Sequence, residues 1–174
     1  MIYAGAQKNI GPAGATMVII KKTFAETANE HVPTMLKYKT HLNKGSMFNT
    51  PPCVNVFVVG EVFKWILASG GLEAIEENNM KKAAVLYDYL DANSDYYKPT
   101  VTCKDDRSIM NVTWNLTTPE LEAKFVADAK AQYNMTNLKG HRKVGGIRAS
   151  IYNACPISSV EALVKYMDEF RKAN

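Results

Sequence analysis

A single lysine, Lys8, lies in a segment rich in glycine and alanine, residues 5–14 with the sequence GAQKNIGPAG. A lysine that acts as a covalent nucleophile must be desolvated, so that its neutral amine is accessible. It also needs room beside it for a ring-sized cofactor, which glycine and alanine leave. Because most lysines are simply exposed, composition alone favours an ordinary loop lysine here over a reactive one.

A basic segment, residues 139–148 with the sequence KGHRKVGGIR, concentrates cationic side chains among glycines. The planar guanidinium of arginine binds a carboxylate or a phosphate through two hydrogen bonds, which lysine cannot reproduce. Strand alternation puts Arg148 opposite Ile147 and Ala149, so we expect its guanidinium to be available to a ligand. Basic loops are usually just solvated, but the glycines let the backbone approach a ligand closely and favour an anion site.

A third segment, Asn49 and Thr50 followed by two prolines, offers neutral hydrogen-bond donors. Its simplest interpretation is a proline-terminated turn that leads into a helix. The Asn49 amide, the Thr50 hydroxyl and nearby backbone N–H groups are also suited to a phosphate. Taken alone, this signal is weak.

The histidines and cysteines form no pattern typical of metal sites. His31 and His41 lie outside any metal-ligand spacing, so we expect surface or structural residues and no metal. The cysteines, at positions 53, 103 and 155, are far apart and lack a C-x-x-C spacing. This argues against disulfides and structural zinc and indicates a reducing, cytoplasmic compartment.

The composition is that of a folded protein with one domain or slightly more: 174 residues, 47% hydrophobic and 22% charged. A net charge of +4 favours small anionic ligands or simple solubility over a nucleic-acid surface. The apolar run at residues 54–59 is interrupted by Asn55 and is too short for a membrane span, and no secretory signal is visible. We therefore expect neither nucleic acid nor a membrane as partner.

The elements that must position these residues begin with a strand at residues 15–20, ATMVII, an apolar run typical of a strand buried on both faces. Residues 23–52 show no strong period, and so long an irregular stretch is expected to pack against something else.

Two helices are predicted after Pro52 and together look like a connector between two lobes. The first helix ends at Gly70-Gly71, and we expect its Trp65 to be a buried core residue. Its apolar residues recur at three- and four-residue steps: Val56, Val59, Val62, Phe63 and Ile66. In the second helix, Glu77 and Lys81 are four residues apart and are expected to form a pair on the solvent-exposed face. Its expected inner residues are Leu72, Ile75, Ala83, Leu86, Tyr87 and Leu90.

The remainder predicts a small α/β lobe. Residues 110–116 alternate as in a half-buried strand, with Trp114 in the core, and Thr118-Pro119 is suited to begin a helix. Residues 147–151 predict a further strand. A capping box from Ser158 to Glu161 is expected to open the last helix.

Three motifs resemble those of the phosphoserine aminotransferases, within the class V aminotransferase family. YAGAQKNIGP at residues 3–12 resembles the family's cofactor-lysine segment, and SMFNTPP at 46–52 is similar to its next signature. NLKGHR at 137–142 with VGGIRASIYNA at 144–154 is similar to its last. The motifs occur in the family's order, and the resemblance extends across essentially the whole chain. Their combination is highly specific, because the wider class V family does not generally share the GHR…GGxR loop.

The resemblance implies a cofactor, pyridoxal 5′-phosphate, and the residues that hold it. Lys8 would form a Schiff base with the cofactor and shuttle a proton between the substrate α-carbon and the cofactor atom C4′. Gln7 would lie beside the cofactor phosphate. Asn49 and Thr50 would reach that phosphate from the partner subunit of a homodimer whose active sites lie at the interface.

The resemblance also implies a substrate site. His141 and Arg142 would hold the substrate phosphate, again across the interface, and Arg148 would bind the substrate α-carboxylate. The implied reaction exchanges an amino group between O-phospho-L-serine plus 2-oxoglutarate and 3-phosphohydroxypyruvate plus L-glutamate, in serine biosynthesis. In many bacteria a related substrate serves vitamin B6 synthesis.

The implied fold is the carboxy-terminal part of an α/β, fold-type I aminotransferase. Residues 1–53 would end the large cofactor-binding domain, residues 54–92 would form the connecting helices, and residues 93–174 would form the small carboxy-terminal α/β domain.

The position of Lys8 departs from the family, in which the cofactor lysine follows most of the large domain. The upstream aromatic that stacks on the pyridine ring, the acid that pairs with its nitrogen and the main phosphate loop are not in this sequence. We therefore expect a fragment that has little or no activity alone and does not necessarily keep the cofactor.

Two alternatives remain open from the sequence. One is another fold-type I pyridoxal enzyme, such as a serine–glyoxylate aminotransferase or a cysteine desulfurase. The other is a non-catalytic α/β module that binds small phosphorylated metabolites through its basic segment.

Overall fold

The computed structural model describes all residues, 1–174, and the chain divides into two compact units, Met1–Ser69 and Gly70–Asn174. We call these the amino-terminal and carboxy-terminal units. The elements mix α-helices and β-strands, as expected for an α/β protein. The finer division at residues 53 and 92 stays a prediction.

The amino-terminal unit opens with a two-stranded antiparallel hairpin of β1 (Ile2–Gly5) and β2 (Thr16–Ile19), in which Ile2 pairs with Ile19 and Gly5 with Thr16. The strand prediction for β2 is confirmed, whereas the short β1 was not predicted. Burial of β2 on both faces is wrong, because all four of its residues are exposed and Ile19 is 67% exposed. An apolar sequence indicates that a strand packs against another part of the protein. Within the amino-terminal unit, no helix or sheet buries β2.

The connection to the next long element contains only short helices, α1 (Lys22–Ala25) and α2 (Tyr38–Leu42), with a 3-10 turn at Thr34–Leu36. This agrees with the absence of a period in the sequence. Most of these residues are exposed, so the segment makes little core of its own.

Helix α3 (Cys53–Ala68) follows Pro52 as predicted, and its expected inner face is confirmed only in part: Val62 and Ile66 are half-buried. Val59 is buried, whereas Val56, Phe63 and Trp65 are 54%, 40% and 43% exposed. The helix is apolar around its whole circumference, and such helices need cover on every side. Periodicity therefore identified the covered positions Val59, Val62 and Ile66, but it could not separate them from exposed apolar neighbours.

The carboxy-terminal unit is built on a four-stranded antiparallel sheet. Its strand order is β3 (Lys98–Pro99), β4 (Asn111–Asn115), β6 (Gly145–Ser150) and β5 (Lys139–His141). The helices that pack with it are α4 (Gly71–Ala92), α5 (Pro119–Tyr133) and α6 (Ile157–Ala173). Buried apolar residues of these elements form one cluster, with Trp114, Phe125 and Met167 fully buried.

Several predictions for this unit are confirmed. Val112, Trp114 and Leu116 are buried along β4 and the residue that follows it. The Thr118 hydroxyl accepts a hydrogen bond from the Leu121 N–H at 3.3 Å and caps α5, whose first residue is a proline. On α4 the ion pair between Lys81 Nζ and Glu77 Oε1 measures 2.6 Å.

Two details of this unit correct the sequence analysis. Leu72 is 76% exposed rather than inner, because it lies in the first turn of α4, before the helix contacts the core at Ile75. The final helix begins two residues early, with Pro156 rather than Ser158 at the N-cap and no side-chain capping bond. Ser158 is thus already inside the first turn, where its backbone is helical and the predicted box cannot form.

No single helix is both long and apolar enough to cross a membrane. Helices α3 and α4 have the length and composition of a membrane span only when taken together, and the helix is broken at residues 69–70, so this is weak evidence for a span.

Candidate functional site

Lys8 lies in the loop that connects β1 to β2, and main-chain hydrogen bonds fix this loop. The N–H of buried Ala6 donates to the Ala15 carbonyl at 2.9 Å. The Ala6 carbonyl in turn accepts from the N–H groups of Lys8 and Gly11, at 2.6 and 2.7 Å. The backbone that carries Lys8 is therefore a closed turn rather than a free loop.

Close packing holds the same loop against α3. A Cβ on Gly11 would lie 2.8 Å from Val59 Cγ2, and one on Gly14 would lie 2.8 Å from Asn55 Nδ2. The Asn55 amide also donates to the Ala13 carbonyl. The small residues of this motif are thus required for contact with a helix, which adds a structural reason for their presence to the functional one.

The side chains of Gln7 and Lys8 are exposed, and a Cβ on Gly5 would meet no heavy atom within 4 Å. The hairpin therefore leaves open space at Gly5, three residues before the lysine. Nothing in the amino-terminal unit buries the amine, so the desolvation expected of a nucleophilic lysine is not provided there.

Asn49 and Thr50 belong to the same unit as Lys8 and lie exposed in the segment between α2 and α3. The Asn49 amide is 3.8 Å from Met35 Sδ, a weak contact that leaves its second N–H and its oxygen for other partners. Pro52 occupies the N-cap of α3 and has no side-chain acceptor for the N–H groups of the first turn.

The basic segment forms a tight hairpin rather than the glycine-rich loop expected from sequence. His141 at the end of β5 pairs with Gly145 at the start of β6, and residues 142–144 make the turn. His141 Nδ1 accepts from the Lys143 N–H at 3.2 Å, which in the neutral ring leaves the proton on Nε2. His141 and Arg142 are both exposed and can therefore donate to a ligand.

A cavity of about 430 Å³ lies between this hairpin and α5, entirely within the carboxy-terminal unit. Four of its lining side chains are cationic or can become so, and one is acidic: Lys130, Lys139, His141, Arg142 and Glu122. The volume suits a small organic ligand, and the charges suit an anion. Lys130 was missed by the sequence analysis, although its position eight residues after Glu122 places both on one face of α5.

Glycine is necessary in this hairpin. A Cβ on Gly140 would lie 2.0 Å from the Gly145 carbonyl oxygen, and one on Gly146, whose φ is +71°, would lie 2.8 Å from the Trp114 oxygen. A side chain at Gly140 would force β5 away from β6, and one at Gly146 would force β6 away from β4.

Arg148 lies on β6 opposite Thr113 of β4, and its neighbours Ile147 and Ala149 are buried on the other face, as predicted. The arginine itself is half-buried. Its Nε is buried without a hydrogen-bond partner in the chain. A buried N–H that lacks an acceptor costs about 1–3 kcal/mol.

The structure adds one buried charge that sequence reasoning missed. Lys82 on α4 is fully buried and donates to the carbonyls of Ile151, Tyr152 and Cys155 at 3.2, 2.8 and 3.0 Å. Burial lowers the pKa of Lys82. The lysine anchors the segment that directly follows β6, the strand of Arg148. Its spacing, seven residues after Ile75 and four before Leu86, places it on the inner face of α4, a signal that the sequence analysis did not use.

No group of three or more His, Cys, Asp or Glu side chains is placed to hold a metal ion. His31 is exposed, and half-buried His41 has Nε2 3.0 Å from the Met35 carbonyl oxygen. All three cysteines are free.

The predicted site residues therefore fall into two sets. Gln7, Lys8, Asn49 and Thr50 are in the amino-terminal unit. His141, Arg142 and Arg148 are in the carboxy-terminal unit, where the first two line the cavity and Arg148 does not.

Comparison with known proteins gives a consistent result. A family model described as aminotransferase class-V matches residues 1–163. The chain is 57% identical over 175 residues to the phosphoserine aminotransferase of Desulfotalea psychrophila, covering 100% of this chain and 47% of that relative. The chain spans about half the length of the curated relatives it matches.

Two solved structures share the fold. The phosphoserine aminotransferase from Bacillus circulans subsp. alkalophilus has a TM-score of 0.93 and 47% identity, over 98% of this chain and 47% of that one. The PLP-bound phosphoserine aminotransferase from Trichomonas vaginalis has a TM-score of 0.86 and 36% identity, over 95% of this chain and 47% of that one. The family match over most of the sequence, supported by these likenesses, shows that the chain belongs to the class-V aminotransferase family.

Proposed function

We propose that this chain provides the cofactor lysine and the substrate anion site of a phosphoserine transaminase. The reaction exchanges an amino group between O-phospho-L-serine plus 2-oxoglutarate and 3-phosphohydroxypyruvate plus L-glutamate. The observation that carries the proposal is the cationic cavity at His141 and Arg142, in a chain 57% identical to a protein named phosphoserine aminotransferase. The phosphate group of such a substrate has the charge that His141 and Arg142 suit, whereas Arg148, proposed to bind the other end of the substrate, lies outside the cavity.

Under this proposal Lys8 is the point of covalent attachment for pyridoxal 5′-phosphate. The cofactor, when bound, supplies an aldehyde and a conjugated ring that withdraws electrons from the substrate. Once the substrate amine has replaced Lys8 on that aldehyde, the released Lys8 amine would move a proton between the substrate α-carbon and the cofactor atom C4′. Gln7 would lie beside the cofactor phosphate. The exposed lysine and the open space over Gly5 are compatible with these roles.

The substrate is held at its two anionic ends. His141, through Nε2–H, and Arg142 donate to the substrate phosphate. Arg148 binds the α-carboxylate through its planar guanidinium, which can form two parallel hydrogen bonds to it. Two fixed contacts at opposite ends of a small molecule leave it one orientation, which aligns the bond to be broken.

We also propose a homodimer in which Asn49 and Thr50 donate to the cofactor phosphate of the partner subunit, and His141 and Arg142 likewise act across the interface. The exposed apolar surface of the amino-terminal unit supports an assembly, because large exposed apolar patches typically mark interaction sites. Its members include Ile2, Tyr3, Ile19, Val54, Phe57 and Leu67, each at least 66% exposed. The proposed setting is serine biosynthesis in the cytoplasm.

The 174-residue chain by itself is proposed to have little transaminase activity. Lys8 is exposed in the amino-terminal unit, and the matched relatives are about twice as long. The other walls of the cofactor pocket would come from residues that those relatives have and this chain does not. Turnover of O-phospho-L-serine at a rate typical of aminotransferases, on the order of 1–10³ s⁻¹, would refute this part of the proposal.

Hydride trapping tests the role of Lys8. A full-length protein that contains this chain is incubated with pyridoxal 5′-phosphate, reduced with borohydride and mapped by peptide mass spectrometry. We expect a cofactor adduct on Lys8 that disappears in Lys8→Arg and persists in the control Lys44→Arg, since Lys44 is also an exposed loop lysine of this unit. Equal labelling of all exposed lysines would contradict the assignment.

An absorbance spectrum separates the alternatives. A lysine-bound cofactor absorbs in the visible range, whereas a module that only binds phosphorylated metabolites gives no such band. If the band forms and alanine or cysteine discharges it better than O-phospho-L-serine, another pyridoxal enzyme of this fold becomes the better assignment.

A further inference from the structure

The one acidic side chain in the cavity lining, Glu122 of α5, is bonded to three N–H donors. Its Oε1 accepts from the Asn115 amide at 3.0 Å and from the Leu116 N–H at 3.2 Å. Its Oε2 accepts from the Gly146 N–H at 3.0 Å. One carboxylate thus joins α5 to the end of β4 and to the start of β6.

The Gly146 contact lies at the base of the basic hairpin. Gly146 follows Gly145, which pairs with His141, and Arg142 comes next in the turn. A shift of Gly146 relative to α5 would therefore move His141 and Arg142 relative to the cavity that they line. The close approach of Gly146 to β4 leaves this residue few alternative positions.

The charge of Glu122 would by itself oppose an anion in the cavity. Hydrogen bonds from three N–H groups stabilise a carboxylate and partly compensate its charge. The presence of Glu122 among cationic side chains is therefore better explained by its three hydrogen bonds than by its negative charge.

We propose that Glu122 is a positioning residue of the substrate-phosphate site, which holds the β5–β6 hairpin so that His141 and Arg142 face the cavity. The inference rests on the proposed function, because that function assigns the phosphate to these two residues. Glu122 itself does not touch the substrate.

The test compares Glu122→Gln with Glu120→Gln in the 174-residue chain. Glu120 is exposed in the first turn of the same helix and makes no contact with the hairpin, so its variant matches the change in net charge. Glutamine has one acceptor and one donor group, and therefore cannot serve Gly146 together with Asn115 and Leu116. The measurements are amide hydrogen exchange at Gly146 and titration with inorganic phosphate, both followed by NMR.

We expect Gly146 to exchange about tenfold faster in Glu122→Gln, because a hydrogen bond to a charged group is lost. We also expect phosphate to bind about fivefold or more weakly, an effect of at least about 1 kcal/mol. Glu120→Gln should leave Gly146 unchanged and bind phosphate equally or slightly better. The direction of the change in phosphate affinity distinguishes the two effects of the substitution. Loss of a negative charge alone would strengthen phosphate binding, whereas displacement of His141 and Arg142 would weaken it.

Unchanged exchange at Gly146, or tighter phosphate binding in Glu122→Gln, would overturn the inference. Absence of any phosphate response at His141 and Arg142 in the unmodified chain would instead refute the proposed phosphate site, while the exchange measurement still decides whether Glu122 holds the hairpin. Should Glu122→Gln not fold, Asn115→Ala removes only one donor to the carboxylate, and we expect the same two effects at smaller size.

Discussion

Lys82 is a buried cation whose hydrogen bonds all go to main-chain carbonyls, so its contribution to the fold can be separated from that of ordinary surface lysines. The three carbonyls belong to Ile151, Tyr152 and Cys155, in the segment after β6. Since that segment begins directly behind the strand of Arg148, the lysine stabilises the region next to the proposed carboxylate site.

Substitution of Lys82 tests this contribution. Lys82→Met keeps the length of the side chain but leaves the three carbonyls without their donor, and we expect the free energy of unfolding to fall by about 1–3 kcal/mol. Lys81→Met is the matched control, because Lys81 is exposed and its pair with Glu77 contributes only about 0.3–0.5 kcal/mol. Urea unfolding measures both, and equal effects would show that Lys82 has no special role.

At the scale of elements, the lysine loop and the basic hairpin are positioned in different ways. The loop between β1 and β2 packs on α3 through glycines and the Asn55 amide. The hairpin of β5 and β6 belongs to a sheet and is joined to α5 through Glu122. In both cases a long helix carries the contact that fixes a short irregular segment.

Two glycines of the lysine loop provide a comparison at this scale. Gly11→Ala brings a methyl group to 2.8 Å from Val59 Cγ2, and because valine is stiff within a helix, we expect the loop to shift. The amino-terminal unit should lose about 1–3 kcal/mol of stability. Gly5→Ala meets open space and should change stability by less than about 0.5 kcal/mol. Hydrogen exchange at Lys8 and Gly11 reports the shift, and equal exchange in the two variants would contradict the packing argument.

At the scale of the whole molecule, the two units differ in how much of their apolar surface is covered. The carboxy-terminal unit has a continuous core of aromatic and aliphatic residues, including Tyr97 and Tyr166. The amino-terminal unit leaves β2 and most of α3 exposed. Its stability is therefore expected to depend on association more than that of the other unit.

The buried tyrosines predict that the carboxy-terminal unit is sensitive to alkali. Burial raises the pKa of Tyr97 and of Tyr166 well above the ordinary value of 10.0, while their hydroxyls donate to the Met167 and Phe125 carbonyls at 2.8 and 2.7 Å. A pKa raised in the folded state means that the unfolded chain loses the proton first. Stability is therefore complete below about pH 10 and falls as the pH rises further.

Lys82 changes the stability in the opposite direction, because burial lowers its pKa from the ordinary 10.5. Its contribution to the free energy of unfolding therefore increases with pH until about pH 10.5 and is constant above that. Between about pH 9 and about pH 11.5 we expect each buried phenol to cost the fold up to about 2 kcal/mol. Urea unfolding followed by circular dichroism measures the loss, and Tyr166→Phe, which cannot ionise, should show a smaller pH dependence. A loss equal to that of the unmodified chain would mean that Tyr166 is not protected from ionisation.

The amino-acid sequence alone was sufficient for features that depend on near neighbours. The alternation of β4, the Thr118-Pro119 start of α5 and the Glu77–Lys81 pair involve residues at most four apart, and all three are confirmed. The motifs around Lys8, Asn49 and Arg148 were also sufficient to recognise the family, since a motif needs only the order of residues.

Only the tertiary structure decided which apolar surfaces are covered and which distant polar groups meet. β2 and α3 have apolar sequences whatever packs on them, so their exposure could not be inferred from periodicity. Lys82 donates to carbonyls about 70 residues away in the sequence, and Glu122 accepts a hydrogen bond from Gly146, which is 24 residues away. Contacts at such separation arise from how helices and sheet pack in three dimensions, and no local pattern of residue types records them.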